Sequence, residues 1–274
     1  MIDTLSFEWL KFSRRWMPRT ILILLLGLTV LAFWGYATRN VGRANLFLPR
    51  GWLAALAFSA FFAPFFWPVL GGSWAGNEYG WGTIRAILTR RPERITHVIA
   101  ALIVLALGVL IGVVAIVAIA TVLALAVSLA SGNAAWTTGI FGSTFVETFV
   151  KGTLTSWIVS SFYLLLAYSV AIITRSAAVG IGFGIGSTLA EVVLTRIFVT
   201  LGGIWNTIAL HFPFVYTENV ITRVVGPQLI PGTTLARVDP GTPSVGNSLI
   251  AIALYSAVLI AAMLIAVRVR DVTA

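Results

Sequence analysis

The chain has 274 residues, 59% apolar and only 10% charged, with a formal net charge of +9 and a mean hydropathy of +0.98. Soluble domains carry about 25% charged residues, so this composition excludes an ordinary globular protein and describes an integral membrane protein. The absence of cysteine excludes disulfide staples, thiolate metal sites and cysteine nucleophiles.

The first stretch, Met1–Arg19, interleaves Lys11, Arg14, Arg15 and Arg19 with Phe7, Trp9, Leu10, Phe12 and Trp16. Basic and aromatic residues mixed this way predict an amphipathic N-terminal helix on the cytoplasmic leaflet, in contact with membrane lipids. An apolar run over 20–36 follows. A basic start before an apolar run also describes a signal peptide, with Gly35-Tyr36-Ala37 as a cleavage site. The segment is expected to be retained as the first span.

A short loop with Arg39, Arg43 and Arg50 leads to the second span, 52–72, which contains Pro64 and Pro68. Prolines inside a span free backbone carbonyls and bend the helix, so both are candidates for a translocation path or gate. A static kink is the plain alternative. Next comes Gly76–Arg94, the most polar segment between the second and third apolar runs. Ile84, Ile87 and Leu88 fall at i, i+3 and i+4, and Pro92 closes the segment. The pattern predicts a short amphipathic helix, about 76–94, lying on the membrane surface.

The third apolar run, 96–129, exceeds the length of about 20 residues that one perpendicular span needs, yet nothing in it makes a turn. One long, tilted helix is expected. A polar loop over 131–152 with Asn133, Glu147 and Lys151 precedes the fourth span, 153–174. Arg175-Ser176 is the only break before the fifth span, 177–200, so these two form a tight antiparallel hairpin. Gly180/Gly184 and Gly182/Gly186 make two small-xxx-small pairs that permit close helix approach.

Glu191 is the one acid placed at hydrocarbon depth. Such a residue faces a bundle interior or water path by default, which makes it a translocation or gating candidate. The alternative is a carboxyl satisfied by hydrogen bonds to a neighbouring helix. Residues 201–248 hold five prolines and predict short interfacial helices, then a Pro/Gly loop, on the outer side. The sixth span covers 249–267. The fold class expected is therefore all-α, one transmembrane domain over 1–274.

Six spans put both termini on one side. That side, with the 76–94 segment and Arg175, holds eleven Lys/Arg against six in the opposite loops. By the positive-inside rule both termini and the amphipathic segment are cytoplasmic. The basic clusters flank spans rather than one face or tail, so no nucleic-acid partner is expected. His97 and His211 lie far apart without metal-ligand spacing, so no metal site is expected. Ser160, Ser161, Tyr163 and Ser169 lack a His or Asp partner within the spans, so no catalytic residues are assigned and the chain is not expected to be an enzyme.

The order of elements, the long outer segment before the sixth span and the pattern E-x3-G-T-x-R-x2-L-x3-P-x-R resemble type-2 ABC transporter permeases. The matching residues are Glu78, Gly82, Thr83, Arg85, Leu88, Pro92 and Arg94. The resemblance implies that the segment after span two is a coupling helix that docks in a groove of a cytoplasmic ATP-binding subunit. Arg91 joins these as a candidate docking residue, since arginines on a short rigid helix offer donors to an acidic groove. The alternative is that the arginines hold anionic lipid heads. The family's basic residue near the start of the third span is usually lysine, whereas this chain has His97.

No G-x4-G-K-[ST] occurs in the sequence, so ATP and Mg are expected on a separate polypeptide. The resemblance further implies an exporter-like complex, a second permease copy or homologue as homo- or heterodimer, and a bacterial cytoplasmic membrane. The mostly apolar spans favour a lipid, hydrophobic peptide or amphipathic drug as substrate. Two other classes compete. An ATPase-independent six-span secondary transporter or channel protomer would normally show inverted repeats, and none is found. An intramembrane enzyme lacks its base and nucleophile.

Overall fold

In the computed structural model the described residues are 2–39, 43–80, 82, 94–132, 143–229 and 241–269. They form nine α-helices in chain order: α1 Ile2–Arg14, α2 Trp16–Ala37, α3 Arg50–Gly80, α4 Arg94–Ala130, α5 Ser143–Thr174, α6 Ala177–Leu201, α7 Gly203–Ala209, α8 Pro213–Val225 and α9 Val245–Val269. No strand occurs among these residues. Six of the helices, α2 to α6 and α9, are long and apolar enough to cross a membrane, and the chain is an integral membrane protein. Only helices and closed barrels satisfy their backbone groups internally, which is why so apolar a sequence folds this way.

Two helices form the centre. In α3 and α5 the most apolar windows are 67% and 61% buried, against 17% in α6 and in α9. Small residues let the central helices approach. Gly71 of α3 lies against the Leu164 carbonyl of α5, and Gly76 lies against the backbone of Ala177 at the start of α6. Polar side chains then tie neighbouring spans. Ser156 donates to the Leu56 carbonyl at 3.0 Å, Trp157 Nε1 to the Ala106 carbonyl at 2.7 Å, and Trp52 Nε1 to Thr121 Oγ1 at 2.7 Å. With no water in a bilayer core, each such group must find a protein partner.

The structure moves several expected boundaries. The second span does not end at residue 72, because α3 continues to Gly80 and runs through both Pro64 and Pro68. Residues 76–80 are thus its last turns rather than part of a surface helix. The polar loop expected over 131–152 is also shorter, since α5 starts at Ser143. There Glu147 and Lys151 pair at i, i+4 and offset each other's charge, so the helix extends through a polar stretch. The third apolar run is one unbroken helix, α4, of 37 residues.

At the α5–α6 turn Arg175 adopts a left-handed conformation, φ 59°, and Ser176 caps α6 by accepting from the Val179 amide at 3.3 Å. Only one glycine pair of α6 serves packing within the chain. Gly180 meets Ala167 and Ala171 of α5, and Gly184 meets Pro68, whereas Gly182 and Gly186 have no neighbour within 4 Å. Residues two apart on a helix point to opposite faces, so the two pairs could not share one interface.

After the fifth long helix the chain folds as α7 and α8 followed by a 3-10 turn, Gly226–Gln228. Arg223 of α8 donates to Asn219 Oδ1 at 2.8 Å and to Thr242 Oγ1 at 2.9 Å, and Asn219 donates to Ser248 Oγ of α9 at 2.9 Å. This network joins α8 to the start of α9.

Candidate functional site

The richest chemistry lies where α1 meets the end of α3 and the start of α4. Helix α1 turns a polar stripe toward the bundle. Thr4 and Glu8 are buried, and Lys11 continues the same face at i+7, while Ile2, Phe7 and Leu10 are exposed. Glu8 and Lys11 thus turn inward, while Asp3 and Arg14 share the exposed side with the apolar residues. Phe12 fixes the packing, because its ring sits on Gly108 of α4 where no side chain intervenes.

The inward charges meet others. Lys11 Nζ donates to Glu8 Oε1 and Oε2 at 3.0 and 2.8 Å, and also bonds Glu78 Oε1. Glu78 Oε2 lies 3.2 Å from His97 Nε2, and Glu8 Oε1 lies 3.5 Å from His97 Nδ1. Trp74 Nε1 donates to Glu8 Oε2 at 3.1 Å. The Trp74 ring also carries two cations, Lys11 Nζ at 4.6 Å and the Arg15 guanidinium at 4.7 Å from its centroid. Glu8 is 0% exposed, Glu78 6% and His97 5%. Carboxylates this deeply buried persist only when paired and hydrogen-bonded, and this cluster supplies both.

Glu8, Glu78 and His97 could each offer a ligand atom to a metal ion, within 4.8 Å of one another. Yet the Lys11 ammonium already bonds both carboxylates, and a metal would have to displace it. The two carboxylates also face opposite ring nitrogens of His97 instead of converging on one. The arrangement is an ion-pair network whose positive centre is lysine.

The predicted site residues are divided by the structure. Glu78, a residue of the docking pattern, is buried with both oxygens engaged by Lys11 and His97. Gly82 has φ 67° and its amide donates to the Tyr79 carbonyl at 3.1 Å, so it terminates α3 in a conformation that favours glycine. Arg94 is the first residue of α4. Thr83, Arg85, Leu88, Arg91 and Pro92 lie outside the described residues. Pro64 and Pro68 are both buried in α3, and Pro68 packs on Gly184 of α6. Glu191 Oε2 accepts from the Phe214 amide at 2.8 Å, at the first turn of α8.

Sequence reasoning did not group Glu8, Lys11, Trp74 and His97. The i, i+3 spacing of Glu8 and Lys11 was legible, but nothing in the order of residues brings them to Glu78 and His97. His211, by contrast, is exposed; its ring bonds the Thr207 carbonyl, and its own carbonyl accepts from the Tyr255 hydroxyl at 2.9 Å.

No curated protein matches the chain. Residues 20–273 match the family described as "Protein of unknown function (DUF2705)", a region that includes Glu78 and His97 and begins after α1. By that match, which spans nearly the whole sequence, the chain belongs to the DUF2705 family.

Proposed function

We propose that this chain is the membrane-spanning permease subunit of an ATP-driven ABC-type exporter, with ATP and Mg held by a separate cytoplasmic ATPase subunit. The observation that carries the reading is the pairing of Glu78 and His97 at 3.2 Å. It ties both stems of the 82–94 segment to one end of the bundle, beside the α5–α6 turn. That segment holds Arg85, Arg91 and Arg94 of the docking pattern, on a chain without a nucleotide-binding motif. Force applied there passes directly into α3, the most buried span, and a shift of α3 against α5 and α6 would rebias the bundle between two states.

In this reading both termini and the docking segment are cytoplasmic, in the cell membrane, and two permease copies or homologues pair in the bilayer. The docking role passes to Gly82, Thr83, Arg85, Leu88, Arg91, Pro92 and Arg94, with Glu78 supporting them from inside. Anionic lipid surrounds the basic and aromatic α1 surface.

Co-purification tests the proposal. Tagged chain, isolated without crosslinker, is expected to carry a stoichiometric soluble ATPase, lost on Arg85→Glu or Arg91→Glu while the permease still folds. Full transport by reconstituted chain alone would overturn the reading in favour of an ATPase-independent transporter.

A further inference from the structure

Helix α1 contacts both stems of the 82–93 segment through one continuous set of buried groups. Lys11 and Glu8 reach α3 at Glu78 and Trp74, while Glu8 and Phe12 reach α4 at His97 and Gly108. Glu78 near the end of α3 and His97 in the first turn of α4 pair with each other. We propose that α1 is a clasp: its Glu8–Lys11 pair locks the end of α3 to the start of α4, and so sets the spacing and rotation of the two stems that flank the 82–93 segment in sequence.

Three features favour a positioning device over simple packing. The contacts are charged and directional, so they fix rotation as well as distance, which apolar packing does less strictly. Lys11 is shared between a residue of its own helix and one 67 positions away, so removing it strands two buried carboxylates together. And the backbone of α1 packs on α4 while its side chains span to α3, the geometry of a brace rather than a third equal partner. Ile2, Phe7, Trp9 and Leu10 of this helix are exposed, and a tilt of α1 would reach the stems through Lys11 and Glu8.

Hydrogen–deuterium exchange on the full-length chain in lipid nanodiscs tests the clasp, with no ATPase present, so the outcome is separate from the fate of the exporter reading. Lys11→Met is expected to raise exchange about tenfold or more in α1 and in the windows 74–82 and 94–100 together, with α8 unchanged. The double variant Lys11→Met/Glu78→Gln removes one charge of each sign and is expected to be milder than Lys11→Met alone, a non-additivity that a space-filling role would not produce. Where Lys11→Met is not recovered folded, Glu78→Gln reads the same windows with a smaller rise. A response confined to α1, or one equally large in α8, would overturn the proposal. So would protection of the wild-type windows by added zinc and its reversal by chelator, since the cluster would then be a metal centre.

Discussion

Lys11 and Glu78 form a part-buried ion pair that joins the N-terminal helix to the end of the second span across 67 residues of sequence. The lysine is shared, because Glu8 on its own helix holds it from the other side at 2.8 Å. Its removal is therefore asymmetric with the removal of either acid. Lys11→Met is expected to lower stability by about 3–5 kcal/mol, the scale for leaving a buried charge unpaired, and Glu78→Gln by less. Thermal unfolding of the detergent-purified protein would measure both. Equal losses would mean that the lysine is not the centre of the network.

The two glycine pairs of α6 are expected to separate cleanly. At Gly184 an added Cβ would stand 2.7 Å from Pro68, so Gly184→Val should cost about 1–3 kcal/mol through overpacking. Gly186→Val meets open space in the isolated chain and should stay within about 0.5 kcal/mol. The same unfolding assay decides. A large loss at Gly186 would show that its face is packed in the purified particle, as a second copy of the chain would do.

Glu191 caps α8 through the Phe214 amide, and a glutamine keeps an acceptor there. Glu191→Ala is expected to speed exchange of the Phe214 amide and to cost about 1 kcal/mol, whereas Glu191→Gln leaves exchange near wild type. Transport assays on the two variants separate the roles. A defect in Glu191→Gln with unaltered exchange would assign the charge itself a part in translocation.

At the opposite end of the bundle, Asn219 joins Arg223 to Ser248. Asn219→Ala should cost about 1–3 kcal/mol, since the substitution strands buried polar partners. Because the sequence has no cysteine, labelling of a single introduced cysteine at Asn247 can report whether α9 has loosened from α8. An unchanged labelling rate would show that the remaining Arg223–Thr242 bonds suffice.

Six apolar runs, the hairpin break at Arg175-Ser176, the unbroken length of α4 and an amphipathic N-terminal helix were all legible as patterns. These are one-dimensional properties: hydropathy, run length and the placement of Gly and Pro. Boundaries failed where a polar group had a partner the pattern could not reveal. The second span runs past its expected end at residue 72, because Lys11 and His97 make burial of Glu78 affordable and the helix continues. Helix α5 starts earlier than its polar stretch suggests because Glu147 and Lys151 neutralise each other on one face. For Glu191 the sequence left two roles open, and the position of Phe214 shows the bond it makes.

By itself, then, the sequence determined the membrane class, the number of spans and the location of the polar segment between the second and third. Burial of apolar side chains is roughly additive along a chain, so these features survive without knowledge of packing. Tertiary structure alone decided which charges meet. An ion pair needs its partners within a few ångströms, and helices from distant parts of the chain supply them. Glu8, Lys11, Trp74, Glu78 and His97 became one cluster only when α1 was laid against α4, at the stems of the segment that the sequence had singled out.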